Sequence, residues 1–338
     1  MKAKGKAKGK AKGKAQGEVS QPNLMKKQDS EPSANRGDRV VDNRRAALWL
    51  LASATLFTFT NILVKTLGQT LHPFEISFFR AAVALALILP IFWRTGGLRA
   101  GMATKIPLLQ LTRGVVGSLA MFLGFYAIVA LPLAEAQAIS FSRNLFLVPL
   151  AAIILSEAVG LRRALAAGVG FIGVLIMLRP GMDVGSLGLA LSIGAMAALG
   201  HAFLVALATI LVSIASRYDG PVTLMFYTNT VSIVLISIPT FFVWQTPNLN
   251  ELWMLVAMGI LATISHNCFI RAFALGEASV IAPVDYSRLV FAALAGWLIF
   301  ATVPDAYTIL GALIIVGSSF YILRREAQLG AIRQIPKP

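Results

Sequence analysis

The sequence predicts an all-α membrane protein: ten transmembrane helices in two inverted five-helix repeats, preceded by a disordered basic tail. Three observations carry this. Of 338 residues, 57% are apolar and 13% charged, against roughly half and a quarter in a soluble domain. Apolar runs of the length needed to cross a hydrocarbon core about 30 Å thick recur ten times with short connections. Ser142, Arg143 and Phe146 return as Ser287, Arg288 and Phe291 after a shift of 145 residues.

Residues 1–45 open on a Lys-Ala-Lys-Gly repeat and hold thirteen Lys or Arg against five acids, so +8 of the total charge of +15 lies there. With too little apolar content to form a core, they read as a disordered Lys-rich cytoplasmic tail. Met25 competes with Met1 as the start. The first apolar run begins near Ala46 and is followed by no small-residue cleavage site, so it is expected to stay as a helix rather than be removed as a signal peptide. The ten runs are 46–67, 74–93, 107–131, 133–155, 163–178, 188–215, 222–244, 250–275, 278–300 and 305–323. The first repeat is placed at 46–181, helices 1–5, and the second at 188–326, helices 6–10, with 327–338 a cytoplasmic C-terminal tail. Five helices are an odd number, so the second copy must enter the membrane upside down, an architecture recurrent among transporters.

With the N-terminus inside, twenty-three Lys or Arg of the tails and loops fall on the inner side, and Arg179 alone on the outer. That bias places both termini in the cytoplasm. Trp49, Trp93, Trp244, Trp253 and Trp297 fall near segment ends, where an indole prefers the membrane interface. A single cysteine, Cys268, excludes an intramolecular disulfide and a Cys-rich metal site.

The run PLAEAQAISFSRNLFLVPLAAIILSEAVGLRRALAAGVGFIGVLIMLRPG at 132–181 resembles the end of the first EamA-type repeat of the drug/metabolite transporter superfamily. APVDYSRLVFAALAGWLIFATVPDAYTILGALIIVGSSFYILRRE at 282–326 resembles the matching part of the second repeat, and FFRAAVALAL around Arg80 resembles the family's second helix. The resemblance covers Ala46 to Glu326. It implies ten helices in two inverted halves, a bacterial inner-membrane location and transport of small metabolites. Members often carry Gly-Glu after helix 9; this chain has Ala301 and Thr302 there, although Glu157 stands in the first half. Any role of that second acid is absent here.

Lys65, Arg80, Arg113, Arg143, Arg271 and Arg288 fall inside predicted helices, where a central charge costs about 2.5–3.5 kcal/mol on the insertion scale. Lys65 and Arg271 lie near helix ends and can snorkel to the interface. Arg143 and Arg288 are each ten residues into their segments, entered from opposite faces, so both reach about 15 Å, the midplane. Either they bind or gate a substrate, or they pair with Asp285 and backbone carbonyls and hold helices together. Tyr286 beside them is a candidate cavity wall, with a lipid-facing or packing role as the competing reading. Arg80 and Arg113, about 9 Å deep, are second-tier candidates with Asn61, for which bonding between helices competes with ligand contact. Glu135, His201, His266 and Asp285 are the candidate proton carriers; solvation of Glu135 and structural hydrogen bonding of the two histidines are the competing readings. GVGFIG at 168–173 matches a dinucleotide fingerprint, but it lies in an apolar run with no preceding strand, and small residues there suit close helix approach.

No phosphate-binding loop, zinc-protease motif or hydrolase elbow is present, so the chain reads as no enzyme, with no cofactor. The reading is a secondary transporter of a small metabolite, an amino acid or other carboxylate-bearing compound, with export favoured, because a guanidinium fork matches a carboxylate. Its partners are that small-molecule substrate and the lipid bilayer, with proton coupling or exchange as the energy source and a homodimer compatible with the pattern. One alternative is an uptake permease for a vitamin or nucleoside-like compound. Another is a membrane scaffold whose basic tail binds lipid or nucleic acid, the latter the less favoured partner.

Overall fold

The structure, a computed structural model, describes residues 42–94, 103–155, 161–178, 186–276, 281 and 284–333; residues 1–41 of the basic tail lie outside them. The described residues form eleven helices and no strand: α1 (Asn43–Leu67), α2 (Pro73–Arg94), α3 (Pro107–Ala130), α4 (Leu133–Ser140), α5 (Arg143–Leu155), α6 (Leu161–Leu178), α7 (Ser186–Ala215), α8 (Pro221–Val243), α9 (Leu249–Leu275), α10 (Ser287–Phe300) and α11 (Ala306–Arg333).

Local chemistry explains the ends. Asp42 starts α1 by accepting a hydrogen bond from the Arg45 backbone N–H at 3.0 Å, and Asn248 starts α9 through a capping box with Glu251. Pro107 and Pro221 occupy first helical positions, where the missing N–H costs nothing. Seven stretches are long and apolar enough to cross a membrane: Asn43–Leu67, Pro73–Pro90, Pro107–Ala130, Leu133–Ile154, Ile193–Ala215, Val222–Val243 and Leu249–Leu275. Ala164–Leu178, Ser287–Phe300 and Ala306–Ile322 are shorter apolar helices. The final helix continues to Arg333, into the segment expected to be a C-terminal tail.

The outward faces are apolar. Ile153, Phe241, Phe242 and Leu298 are all more than 70% exposed, a surface that a bilayer solvates and water does not. The helices form a multi-pass membrane bundle, and its interior is rich in small residues, Ala54, Ala120, Ala127, Ala136, Ala198 and Ala202 among them, which allow close helix approach. Helix α1 packs on α9 and α10, α2 on α8 and α9, α3 on α7 and α8, α4 on α7 and α10, α5 on α7, and α6 on α11. At the α6–α11 contact a Cβ on Gly173 would lie 2.9 Å from the Gly311 carbonyl oxygen. The GVGFIG string is therefore a packing surface within a helix.

Two interruptions correct the expected continuous helices 4 and 9. Phe141 and Ser142 separate α4 from α5, and a turn at Tyr286 separates helical Val284 and Asp285 from α10. Phe141 has φ −68° and ψ −16°; Tyr286 has φ −70° and ψ −10°. At both breaks the backbone tightens to three-residue spacing: the N–H groups of Phe141, Ser142 and Leu289 donate to Ala138, Ile139 and Tyr286. Neither break contains proline or glycine.

Candidate functional site

Arg143 is the first residue of α5 and Arg288 the second of α10, so each arginine follows a break directly. Between them stands Asp285. Arg143 Nη2 donates to Asp285 Oδ2 at 3.2 Å, and Arg288 Nε lies 2.8 Å from Asp285 Oδ1. The second contact is close but poorly aligned, leaving Oδ1 and Nε without a well-formed hydrogen bond. One carboxylate is thus shared by two guanidiniums, in a surround where an ion pair is little screened. Asp285 and Arg288 are buried, whereas the Arg143 side chain keeps 27% exposure.

Aromatic and hydroxyl groups complete the surround. The Arg288 guanidinium lies 4.8 Å from the Phe57 ring centroid and 5.3 Å from that of Phe269, both within cation–π range. Arg143 lies 5.6 Å from the Phe141 ring. Arg288 Nη2 also donates to Ser53 Oγ at 3.3 Å. Ser53 and Ser265 tie α1 to α9 reciprocally, each hydroxyl donating to the other's carbonyl at 2.9 Å. Tyr286 Oη sits beside Ser319 and Asn144 without a well-aligned bond, and the buried Ser142 and Ser287 hydroxyls have no hydrogen-bond partner among the described residues. Polar capacity is therefore left over at both breaks.

The remaining candidates divide. His201 Nδ1 is 2.7 Å from the Ala120 carbonyl and feels the Arg143 charge. His266 is exposed and lies within electrostatic reach of both Arg80 and Arg288. Arg80 donates to Met121 Sδ and lies 5.9 Å from the Phe125 ring. Asn61 donates to Gln137 Oε1 at 3.4 Å, linking α1 to α4. Glu135 is half-buried in the first turn of α4.

Arg113 belongs elsewhere. It donates to the Leu224 carbonyl and to Gln110 Oε1, and Gln110 in turn donates to Asp219, which also accepts from Thr104. This network ties the start of α3 to the α7–α8 connection. A counterpart holds the α1–α2 turn to α9, where Thr70 Oγ1 donates to Glu251 Oε1 at 2.7 Å. Lys65 is held by the neighbouring helix. Its ammonium donates to the carbonyls of Ile128, Val129 and Leu131 and so caps α3, where the helix end is electronegative.

Sequence reasoning missed Ser53, Ser265, Phe57 and Phe269. Their signal was depth: each lies on α1 or α9 at the level of Arg288, but single Ser and Phe residues in apolar helices are too common to stand out.

The profile of the EamA-like transporter family matches residues 44–179 and again residues 192–324. An S-adenosylmethionine uptake transporter of Rickettsia prowazekii is 29% identical over 283 residues, covering 82% of this chain and 92% of that one. A riboflavin transporter of Vibrio cholerae is 29% identical over 84% of this chain and 94% of its own. The pseudopaline exporter CntI of Pseudomonas aeruginosa is 31% identical over 82% and 96%. A solved crystal structure shares the fold with a TM-score of 0.56 at 17% identity, over 84% of this chain and 98% of the other. These relatives are transporters, none of them named as an enzyme, and the chain belongs to the EamA-like transporter family.

Proposed function

We propose that the protein is a secondary carrier of the bacterial inner membrane that moves a small carboxylate-bearing metabolite by alternating access between two inverted five-helix halves. The helix pairings support the symmetry. When each helix of the first half is exchanged for its counterpart in the second, α1–α9 becomes α7–α3, α2–α9 becomes α8–α3, and α1–α10 becomes α7 on α4 and α5. The α2–α8, α4–α10 and α6–α11 pairs map onto themselves. The tandem family match and the two breaks 145 residues apart point the same way. The charge bias supports cytoplasmic termini.

The observation that carries the substrate reading is Asp285 shared between Arg143 and Arg288. The substrate's carboxylate takes the place of the Asp285 carboxylate on one or both guanidiniums. Protonation of Asp285 releases the arginines to substrate, so a proton and an anion enter together, coupled through one ion pair. A second reading, uptake of a vitamin or nucleoside-like compound, is favoured by the riboflavin and S-adenosylmethionine transporters among the relatives. The rings of Phe57, Phe141, Phe269 and Tyr286 around the arginines offer stacking faces for such a ligand.

Thermal stability of the purified protein, measured against amino acids and their derivatives, nucleosides and flavins, separates the two. A ligand at a hundred times its Kd stabilises by about 2.7 kcal/mol. The carboxylate reading expects stabilisation by a carboxylate compound and its loss in Arg143→Lys and Arg288→Lys, which keep charge but not the bidentate fork. Stabilisation by uncharged ring compounds alone selects the second reading.

A further inference from the structure

We infer a second anion position at Arg80, so that the transported compound carries two separated anionic groups: one held by Arg143 and Arg288, the other by Arg80 with His266 beside it. The inference rests on the proposed role of Arg143 and Arg288 and extends it to a substrate class.

Charge balance is the first argument. Arg80, Arg143 and Arg288 are among the guanidiniums that lie in membrane-crossing or apolar helices, and the carboxylate of Asp285 is already bound to two of these three. The described partners of Arg80 are neutral, a thioether and a ring face. A guanidinium has five N–H donors, and sulfur is a weak acceptor. The acids in the first turns of α2 and α9 are engaged elsewhere. Glu75, on the same helix, accepts from the backbone N–H groups of His72 and Gln245. Glu251 accepts from Thr70 and from the Asn248 backbone N–H. An unneutralised guanidinium at membrane depth is costly unless an anion joins it.

Geometry is the second argument. His266 lies one helical turn before Phe269, whose ring carries Arg288, and directly after Ser265, which bonds Ser53 beneath Arg288. His266 and Phe269 therefore share a face of α9. Helix α2 packs on that helix, in contact where Gly259 meets Val83, one turn after Arg80. His266 is exposed rather than packed, which leaves its imidazole accessible to a ligand that spans the distance between Arg80 and Arg288. A compound with an acidic group at each end would bridge it, and a histidine between them can donate to either group.

The test uses the full-length protein in nanodiscs and measures affinity for succinate, glutarate and adipate against monocarboxylates of the same carbon number. One dicarboxylate length should bind roughly tenfold or more tightly than its monocarboxylate. Arg80→Gln should abolish that preference, while Arg80→Lys should restore part of it. Absence of a preference at every length in the unaltered protein overturns the second position without needing a variant. So does a preference that survives in folded Arg80→Gln; in either case monocarboxylate binding that depends on Arg143 and Arg288 leaves the first position standing. Monocarboxylate binding unchanged in both Arg143→Lys and Arg288→Lys overturns the first position and the second with it.

Discussion

The rings of Phe141 and Tyr286 lie 4.9 Å apart, centroid to centroid, and each belongs to the residue at which its own helix is interrupted. The two breaks therefore touch through side chains as well as through the Asp285 ion pairs. Phe141 is 1% exposed. Phe141→Ala should lower stability by about 3–5 kcal/mol, read as a fall in the thermal unfolding midpoint, whereas Tyr286→Phe keeps the ring and should move it far less.

Asp285 holds two guanidiniums, so its neutralisation should uncouple proton from substrate. In proteoliposomes, Asp285→Asn should abolish acceleration by a pH gradient while substrate exchange stays measurable. An unchanged pH response in that variant would eliminate Asp285 as the coupling site, and a flat response in the unaltered protein would eliminate proton coupling.

Ala301 ends α10 with φ 51° and ψ 28°, the non-glycine residue with positive φ among the described residues. This is the position where the resemblance led one to expect glycine. The left-handed conformation costs an L-residue about 1–2 kcal/mol, and glycine's extra freedom when unfolded takes back about 0.5–1 kcal/mol. Ala301→Gly should therefore stabilise the fold by a net of roughly 0.5–1 kcal/mol, read as a raised thermal unfolding midpoint, and an unchanged or lowered midpoint would contradict that account.

Orientation is open to labelling. Cys268 is buried, and a Cys268→Ala background removes it altogether. With both termini inside, Val184→Cys should react with an impermeant thiol reagent added to intact cells and Arg99→Cys should not. The reverse pattern would refute the arrangement.

Most helices were readable because apolar length is a direct requirement of the bilayer: α1, α3 and α7 begin and end within three residues of their predicted limits. The breaks were not readable. Phe141 and Tyr286 keep backbone angles that any residue adopts, so no proline or glycine marks them. Their trace in the sequence was indirect, the repeated Ser-Arg pair. Asp285 was legible as a partner of both arginines, through its one-turn spacing from Arg288, and the structure has both guanidiniums on the one carboxylate. The carbonyl partners of Lys65 were not legible, because nearness to a helix end does not distinguish reaching for water from capping a neighbouring helix.

Pro90, Pro149 and Pro239 stand inside α2, α5 and α8, where a missing donor makes any bend permanent. The breaks at Phe141 and Tyr286 differ in kind. Each half-helix can rejoin its other half by exchanging three-residue for four-residue hydrogen bonds, with Phe141 and Tyr286 already in the right-handed helical basin. No steep torsional barrier guards that exchange. The speed of any straightening is then governed by the sliding of packed helices, a motion of microseconds to milliseconds, and by whatever charge sits between Arg143 and Arg288 at that moment.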